Sequence, residues 1–207
     1  MATPYGHGLA GGILYFLLNR KLPEGRGWGY FFLYAGVAAS ADLDLFLDLW
    51  TGETGRFHHG ISHSLGAAAL VGFLAAGTAR IMGWRPARAF GIGFLLYASH
   101  VLLDTMTVDT KPPLGLQALW PLTDAFTLSP VPLFLDVWRW PFSPEMVRHN
   151  ALTVLMETLI LAPPFIHLFY ARRRGEAFSR TRVLGVGVWV VPVVVGFILT
   201  GSILKGR

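Results

Sequence analysis

The sequence predicts an all-α, polytopic transmembrane helix bundle of about six helices, with a Pro/Trp-rich outer loop between the fourth and fifth. Three observations carry this expectation. Hydrophobic residues make up 53% of the chain and charged residues only 14%, against about 25% charge in an ordinary soluble domain. The apolar residues come in long runs, and a helix needs about 20 of them to cross the hydrocarbon core at about 1.5 Å rise each. The lysines and arginines fall in short connections between those runs, as in multi-pass membrane proteins.

The runs place helices at about 5–18, 28–50, 61–83, 86–108, 151–170 and 183–204, in a single integral membrane domain spanning 1–207. The first run, Tyr5–Leu18, covers only about 21 Å at the helical rise, so it must sit in thinned bilayer or extend into the interface. The second ends in an acidic cluster, and the third opens after Gly60. Pro86 starts the fourth. Outer loop 109–150 holds seven of the thirteen prolines and the strings K-P-P, L-W-P-L-T-D and W-R-W-P-F. Its Trp120, Trp138 and Trp140 fit either a rigid lid lying in the interface or a plain aromatic belt. Arg139 and Arg148 are placed to meet an anionic headgroup or phosphate.

With the N-terminus outside, eleven Lys/Arg fall inside and six outside. The positive-inside rule therefore predicts a cell (inner, cytoplasmic) membrane protein with both termini non-cytoplasmic. No secretory signal is expected, because the first basic residue, Arg20, follows the first apolar run. The absence of cysteine excludes disulfides and thiolate ligands. The net charge of +5 lies in loops between apolar helices and implies no nucleic acid; the partner is the lipid bilayer. The oligomeric state is open.

Ten of the twelve acids and six of the seven histidines gather on the outer side. A carboxylate inside an apolar helix costs several kcal/mol unless it is paired, solvated or metal-bound. Asp42, Asp44 and Asp48 cluster in A-D-L-D-L-F-L-D-L-W at the second helix end. In a regular helix Asp44 and Asp48 share a face and Asp42 points away, so at most two address one centre. An acidic helix end wetted by headgroup water is the simpler alternative. F-H-H-G-I-S-H-S brings His58, His59 and His63 to the third helix start, a pattern for imidazole ligands or a phosphate pocket. His100 and Asp104 stand at i and i+4 on one face, where both can bind one ion or the carboxylate can orient the imidazole. A polar pair bridging helices would look the same. His7 opens the first helix. Glu157 lies among apolar neighbours in the fifth and wants a partner. His149 is expected at the interface.

An N-terminal His, then D-L-D, then H-x-G-[ST]-H-S, then S-H-x-x-x-D-x-x-T with a following W-P resembles the YdjM-type family of inner-membrane proteins, described as metal-dependent hydrolases. The likeness covers about Tyr5 to Asp124. It implies roles for His7, Asp42, Asp44, His58, His63, Ser64, His100 and Asp104. Where that family usually has Arg, this chain has His59. The order Asp44, His58, then His100-x-x-x-Asp104 is also similar to that of secreted zinc-dependent phospholipases C, which implies a phosphoester substrate.

The expectation is therefore a membrane-bound, metal-dependent hydrolase with its site at the non-cytoplasmic face, acting on a phosphoester or lipid-like substrate. His7, Asp44, His58, His63, His100 and Asp104 are the candidate ligands of a divalent metal, zinc foremost, with manganese or iron also suited to the donor set. Asp42 and Glu157 are the candidate catalytic residues, as general base or as orienter of a ligand. Two rivals use the same residues. One is an ion-binding or transport protein, which needs polar groups through to the cytoplasmic half. The other is a pH-sensing interaction protein.

Overall fold

The structure is a computed structural model. It describes residues 1–19, 22–25, 27–52, 58–110, 112–139, 141–175 and 182–205, with backbone alone at 48–49, 182–186 and 204–205. The Asp48 side chain, Trp140, Arg56 and Lys111 thus lie outside the described residues.

The helices are α1 (Pro4–Leu18), α2 (Gly27–Ala39), α3 (Leu45–Thr51), α4 (Leu65–Ile81), α5 (Pro86–Thr105), α6 (Pro144–Arg173) and α7 (Arg182–Lys205). A 3-10 turn, Ser40–Asp44, joins α2 to α3, and a second, Ile61–His63, leads into α4. With α2, its turn and α3 taken as one broken helix, this is the expected six-helix arrangement, and no strand occurs among the described residues beyond two isolated bridges. Gly27–Leu47, Pro86–Thr105 and Pro144–Arg173 are long and apolar enough to cross a membrane; Leu65–Ile81 and Gly187–Ile203 are shorter apolar helices.

The second helix departs from the expected regular run at Ser40. The Ser40 hydroxyl donates to the Val37 carbonyl at 2.8 Å. Ser and Asp side chains compete with the helical backbone for such bonds. The fifth apolar run is preceded by two helical turns that hydrophobicity does not reveal, because Arg148, His149 and Asn150 interrupt it. Ser143 caps them by accepting from Met146 N at 3.2 Å, with Pro144 in the first position and Glu145 in the first turn, a favourable start. At 30 residues, α6 reaches about 45 Å, longer than a hydrocarbon core of about 30 Å.

α1 packs against α2, α5 and α6, and α4 pairs with α5. Close approach depends on glycine: a Cβ at Gly11 would meet the Tyr34 carbonyl oxygen at 2.6 Å. Below the site, Ile13, Tyr15, Phe16, Tyr34, Leu96 and Leu168 form one apolar cluster, with Phe31, Phe165 and Phe169 against it.

The loop between α5 and α6 folds back over the end of the bundle that carries the acids and histidines. Val108 N donates to the Phe134 carbonyl, and Leu116 and Thr127 exchange backbone bonds. Leu65 N and Gly66 N donate to the Ala118 and Trp120 carbonyls at 2.8 and 2.9 Å, satisfying amides that a helix start leaves open. Trp120 fills the space that a side chain at Gly66 would need. Trp138 stacks on His149 at 4.2 Å. Both tryptophans are thus packed against protein. His149 is buried rather than interfacial, with Nε2 2.8 Å from the Asp136 carbonyl.

Candidate metal centre

Four segments bring the acids and histidines together. Thr3 caps α1 by accepting from Gly6 N, which sets His7 in the second turn. The 3-10 turn carries Asp42 and Asp44, and tighter winding lets both reach inward. Ser64 caps α4 by accepting from Ala67 N at 3.0 Å, which holds His63 just ahead of that helix. His100 and Asp104 occupy one face of α5. His7, Asp42, Asp44, His63, His100 and Asp104 are all buried.

The ring nitrogens can be assigned from their partners. His100 Nδ1 lies 2.8 Å from the Ala38 carbonyl, which only accepts, so Nδ1 carries the proton and Nε2 presents a lone pair. His63 Nδ1 faces Asp44 Oδ2 at 3.1 Å, so its Nε2 likewise turns inward. These two Nε2 atoms stand 3.2 Å apart. Asp104 Oδ2 lies 3.1 Å from His100 Nε2 and 3.4 Å from His63 Nε2. Asp42 Oδ1 lies 3.5 and 3.7 Å from the same two atoms. The two Nε2 atoms thus stand 3.1–3.7 Å from each other and from each carboxylate oxygen, near the roughly 3.3 Å edge expected of a tetrahedron with bonds of about 2.0 Å.

His7 stacks on His100 with ring centroids 3.6 Å apart, and its Nε2 lies 3.3 Å from Asp104 Oδ1. The other contact of that oxygen is Ala2 N, at 2.7 Å. Both nitrogens of His7, both oxygens of Asp42, and Asp104 Oδ2 are buried without a hydrogen-bond partner. Such atoms cost about 1–3 kcal/mol each when left unsatisfied, more when charged. A cation satisfies the carboxylate oxygens and one nitrogen of His7 together, so the donor set fits a divalent metal. One ligand atom each from His7, Asp42, His100 and Asp104 lies within 4.8 Å of the others, as does a second set from Asp42, His58 and His63. Burial alone would push His63 down, but Asp42, Asp44 and Asp104 outweigh it and raise it to about 9, so the cluster attracts a cation, and a metal would have to displace the proton from His63.

Asp44 and Glu157 sit differently. Asp44 is already satisfied, accepting from Ser62 Oγ at 2.7 Å, His58 Nδ1 at 3.0 Å and His63 Nδ1. His58 lies between this carboxylate and Arg139, whose Nη2 is 3.0 Å from His58 Nε2. Burial holds His58 down, to about 4, against the pull of Asp44, so it accepts from the guanidinium as a neutral ring. Glu157 is fully buried but outside both groups of possible ligands; it accepts from the amide and hydroxyl of Thr3. Sequence reasoning missed three contributors. Tyr97 donates to the Ser62 carbonyl at 2.9 Å, the Ala38 carbonyl orients His100, and Thr3 holds Glu157. Only Tyr97 left a sequence signal, three residues before His100 on the same face.

The fold and the cluster define a helical membrane protein with a buried His/Asp group able to hold a metal ion. The chain belongs to the YdjM inner membrane protein family, whose sequence model matches residues 1–140. That stretch includes every member of the cluster; α6, with Glu157, lies beyond it. Neither the curated proteins nor the solved structures gave a match.

Proposed function

We propose that this protein is a membrane-bound, metal-dependent hydrolase that cleaves a phosphoester in a lipid-like substrate at the non-cytoplasmic face. The observation that supports it best is the convergence of unpartnered atoms of Asp42, Asp104 and His7 on the facing Nε2 atoms of His63 and His100. These five would hold one divalent ion, zinc foremost. This assignment exchanges the parts expected of Asp42 and Asp44: Asp42 ligates, while Asp44 orients the rings of His63 and His58. Glu157 positions the start of α1 through Thr3 and so keeps His7 in place.

A divalent ion bound there would supply Lewis acidity, acidifying water and polarising the ester oxygens. The chain does the rest. Asp42 Oδ2, which has no hydrogen-bond partner, takes a proton from the attacking water as its oxygen bonds to phosphorus. The bond from phosphorus to the alcohol oxygen breaks, and the same carboxyl returns its proton to that oxygen, giving an alcohol and a phosphate. The folded loop over the cluster limits the water around it. The apolar, aromatic cluster beneath the site favours an enzyme over a conduit, because an ion path needs polar groups across the membrane.

The test is turnover of lipid phosphoesters by detergent-purified protein, read as released phosphate or alcohol. Activity that a chelator abolishes and added zinc, manganese or iron restores is the expected result. Absence of any such activity across monoester and diester lipids would overturn the proposal.

A further inference from the structure

We propose that the hairpin closed by Leu116 and Thr127 is a membrane-inserted element, with Leu119, Leu122 and Phe126 seated in lipid at the boundary between acyl chains and headgroups. The partner of this face is the bilayer itself, and the inference goes beyond the hydrolase reading without depending on it. Three observations carry it. First, the hairpin turns apolar side chains outward. Leu116 and Thr127 exchange backbone hydrogen bonds at 3.0 and 2.9 Å, which closes the segment. Leu116 and Ala118 are buried in a cluster with Ala68, Tyr97 and Val101, whereas Leu119, Leu122 and Phe126 are exposed, Leu122 at 89%. Asp124 is the only charged residue between Pro112 and Leu135. Exposed apolar side chains gathered in this way mark contact with a membrane or a partner.

Second, the hairpin sits where a helix falls short of the bilayer. α4 has 17 residues, about 25 Å at the helical rise, against a hydrocarbon core of about 30 Å. Arg80 in its last turn, followed by Trp84, Arg85 and Arg88, holds the far end at the opposite interface. The shortfall of about 5 Å therefore falls at the Leu65 end. There Leu65 N and Gly66 N donate to the Ala118 and Trp120 carbonyls, so the hairpin is stacked on the first turn of the helix. Leu70, Phe73 and Leu74 are exposed along α4, and Leu119 and Leu122 carry that apolar surface past its end.

Third, the backbone is suited to this place. A chain beside lipid must pair its polar groups within the protein. The five successive carbonyls from Leu116 to Trp120 all accept hydrogen bonds, from the amides of Thr127, Trp120, Leu65, Leu122 and Gly66 in turn. Pro121 has no N–H to satisfy. Asp124 sets the depth, because an exposed carboxylate stays with headgroup water. The leucines and Phe126 thus reach the top of the acyl chains and not the bilayer centre.

The chain has no cysteine, so single-cysteine variants of the full chain can each be labelled at one point. Leu122→Cys and Phe126→Cys, both at exposed positions, are labelled with a nitrobenzoxadiazole fluorophore and reconstituted into phosphatidylcholine vesicles. Leu74→Cys, midway along α4, is the lipid reference. Glu24→Cys, exposed between α1 and α2, is the water reference. Both hairpin labels should emit to the blue of the Glu24→Cys label and be quenched less than it by aqueous iodide. A nitroxide high on the lipid acyl chain should quench them more than one near the chain end, with the reverse order for Leu74→Cys. Hairpin labels that respond to iodide as the Glu24→Cys label does, with no quenching by lipid, would overturn the proposal. Labels shielded from both quenchers would mark a protein partner, such as a second copy of the chain, and overturn it as well.

Discussion

His63 Nε2 and His100 Nε2 face each other at 3.2 Å, and each ring has committed its other nitrogen elsewhere, His63 to Asp44 and His100 to the Ala38 carbonyl. Two neutral imidazoles in these tautomers would turn lone pairs on one another. Asp42 and Asp104 add two carboxylates to the same small space. A buried arrangement of this kind favours a cation, a proton at the least, and could hold a metal ion.

The two aspartates of the 3-10 turn should separate in a metal titration. Asp44→Asn should still reach the wild-type metal stoichiometry at saturation, with affinity lowered about 10–100-fold, as when an orienting partner of a ligand is lost. Asp42→Asn should lose affinity more severely and lose activity. Equal effects from the two substitutions would contradict the exchange of parts proposed for them.

Glu157 is a clamp in this account. Glu157→Ala leaves the buried amide and hydroxyl of Thr3 without their acceptor and should cost about 2–3 kcal/mol of stability. Glu157→Gln keeps one acceptor oxygen and should cost less. Thermal unfolding in detergent measures both, and each folded variant should bind metal at the wild-type stoichiometry. A well-folded Glu157→Gln protein without metal would place Glu157 in the centre itself.

Glycine tolerance should follow helix contact. Gly11→Ala sets a methyl 2.6 Å from the Tyr34 carbonyl oxygen, and Gly6→Ala sets one 2.7 Å from the Glu157 carboxyl carbon. Each should lower stability by about 1–3 kcal/mol, Gly11→Ala because packed backbones must separate and Gly6→Ala because the buried Glu157 carboxylate must give way. Gly36→Ala meets nothing within 4 Å and should be neutral, or stabilising by up to about 1 kcal/mol. Melting temperatures of the three variants test this directly.

The helix count and the depth shared by the polar residues were legible because both follow from local pattern: apolar runs of spanning length, and His or Asp at one end of each. His100 and Asp104 were legible as a pair because their helix is regular there. Asp42 and Asp44 were not, since a regular helix turns them apart and only the break at Ser40 turns both inward. Glu157 was legible as a carboxylate in need of a partner, but Thr3 lies 154 positions away, and no local pattern links the two. The early start of α6 was written in its cap, Ser143-Pro144-Glu145, and hidden from hydrophobicity by Arg148, His149 and Asn150.

The most direct test is the metal content of detergent-purified protein by elemental mass spectrometry, beside the double variant His100→Ala, Asp104→Ala. The account predicts about one equivalent or more of transition metal in the wild type, lost in a variant that still folds. Wild-type protein that holds no metal, and takes up none from added zinc, manganese or iron, would contradict it and leave the cluster a proton-holding network.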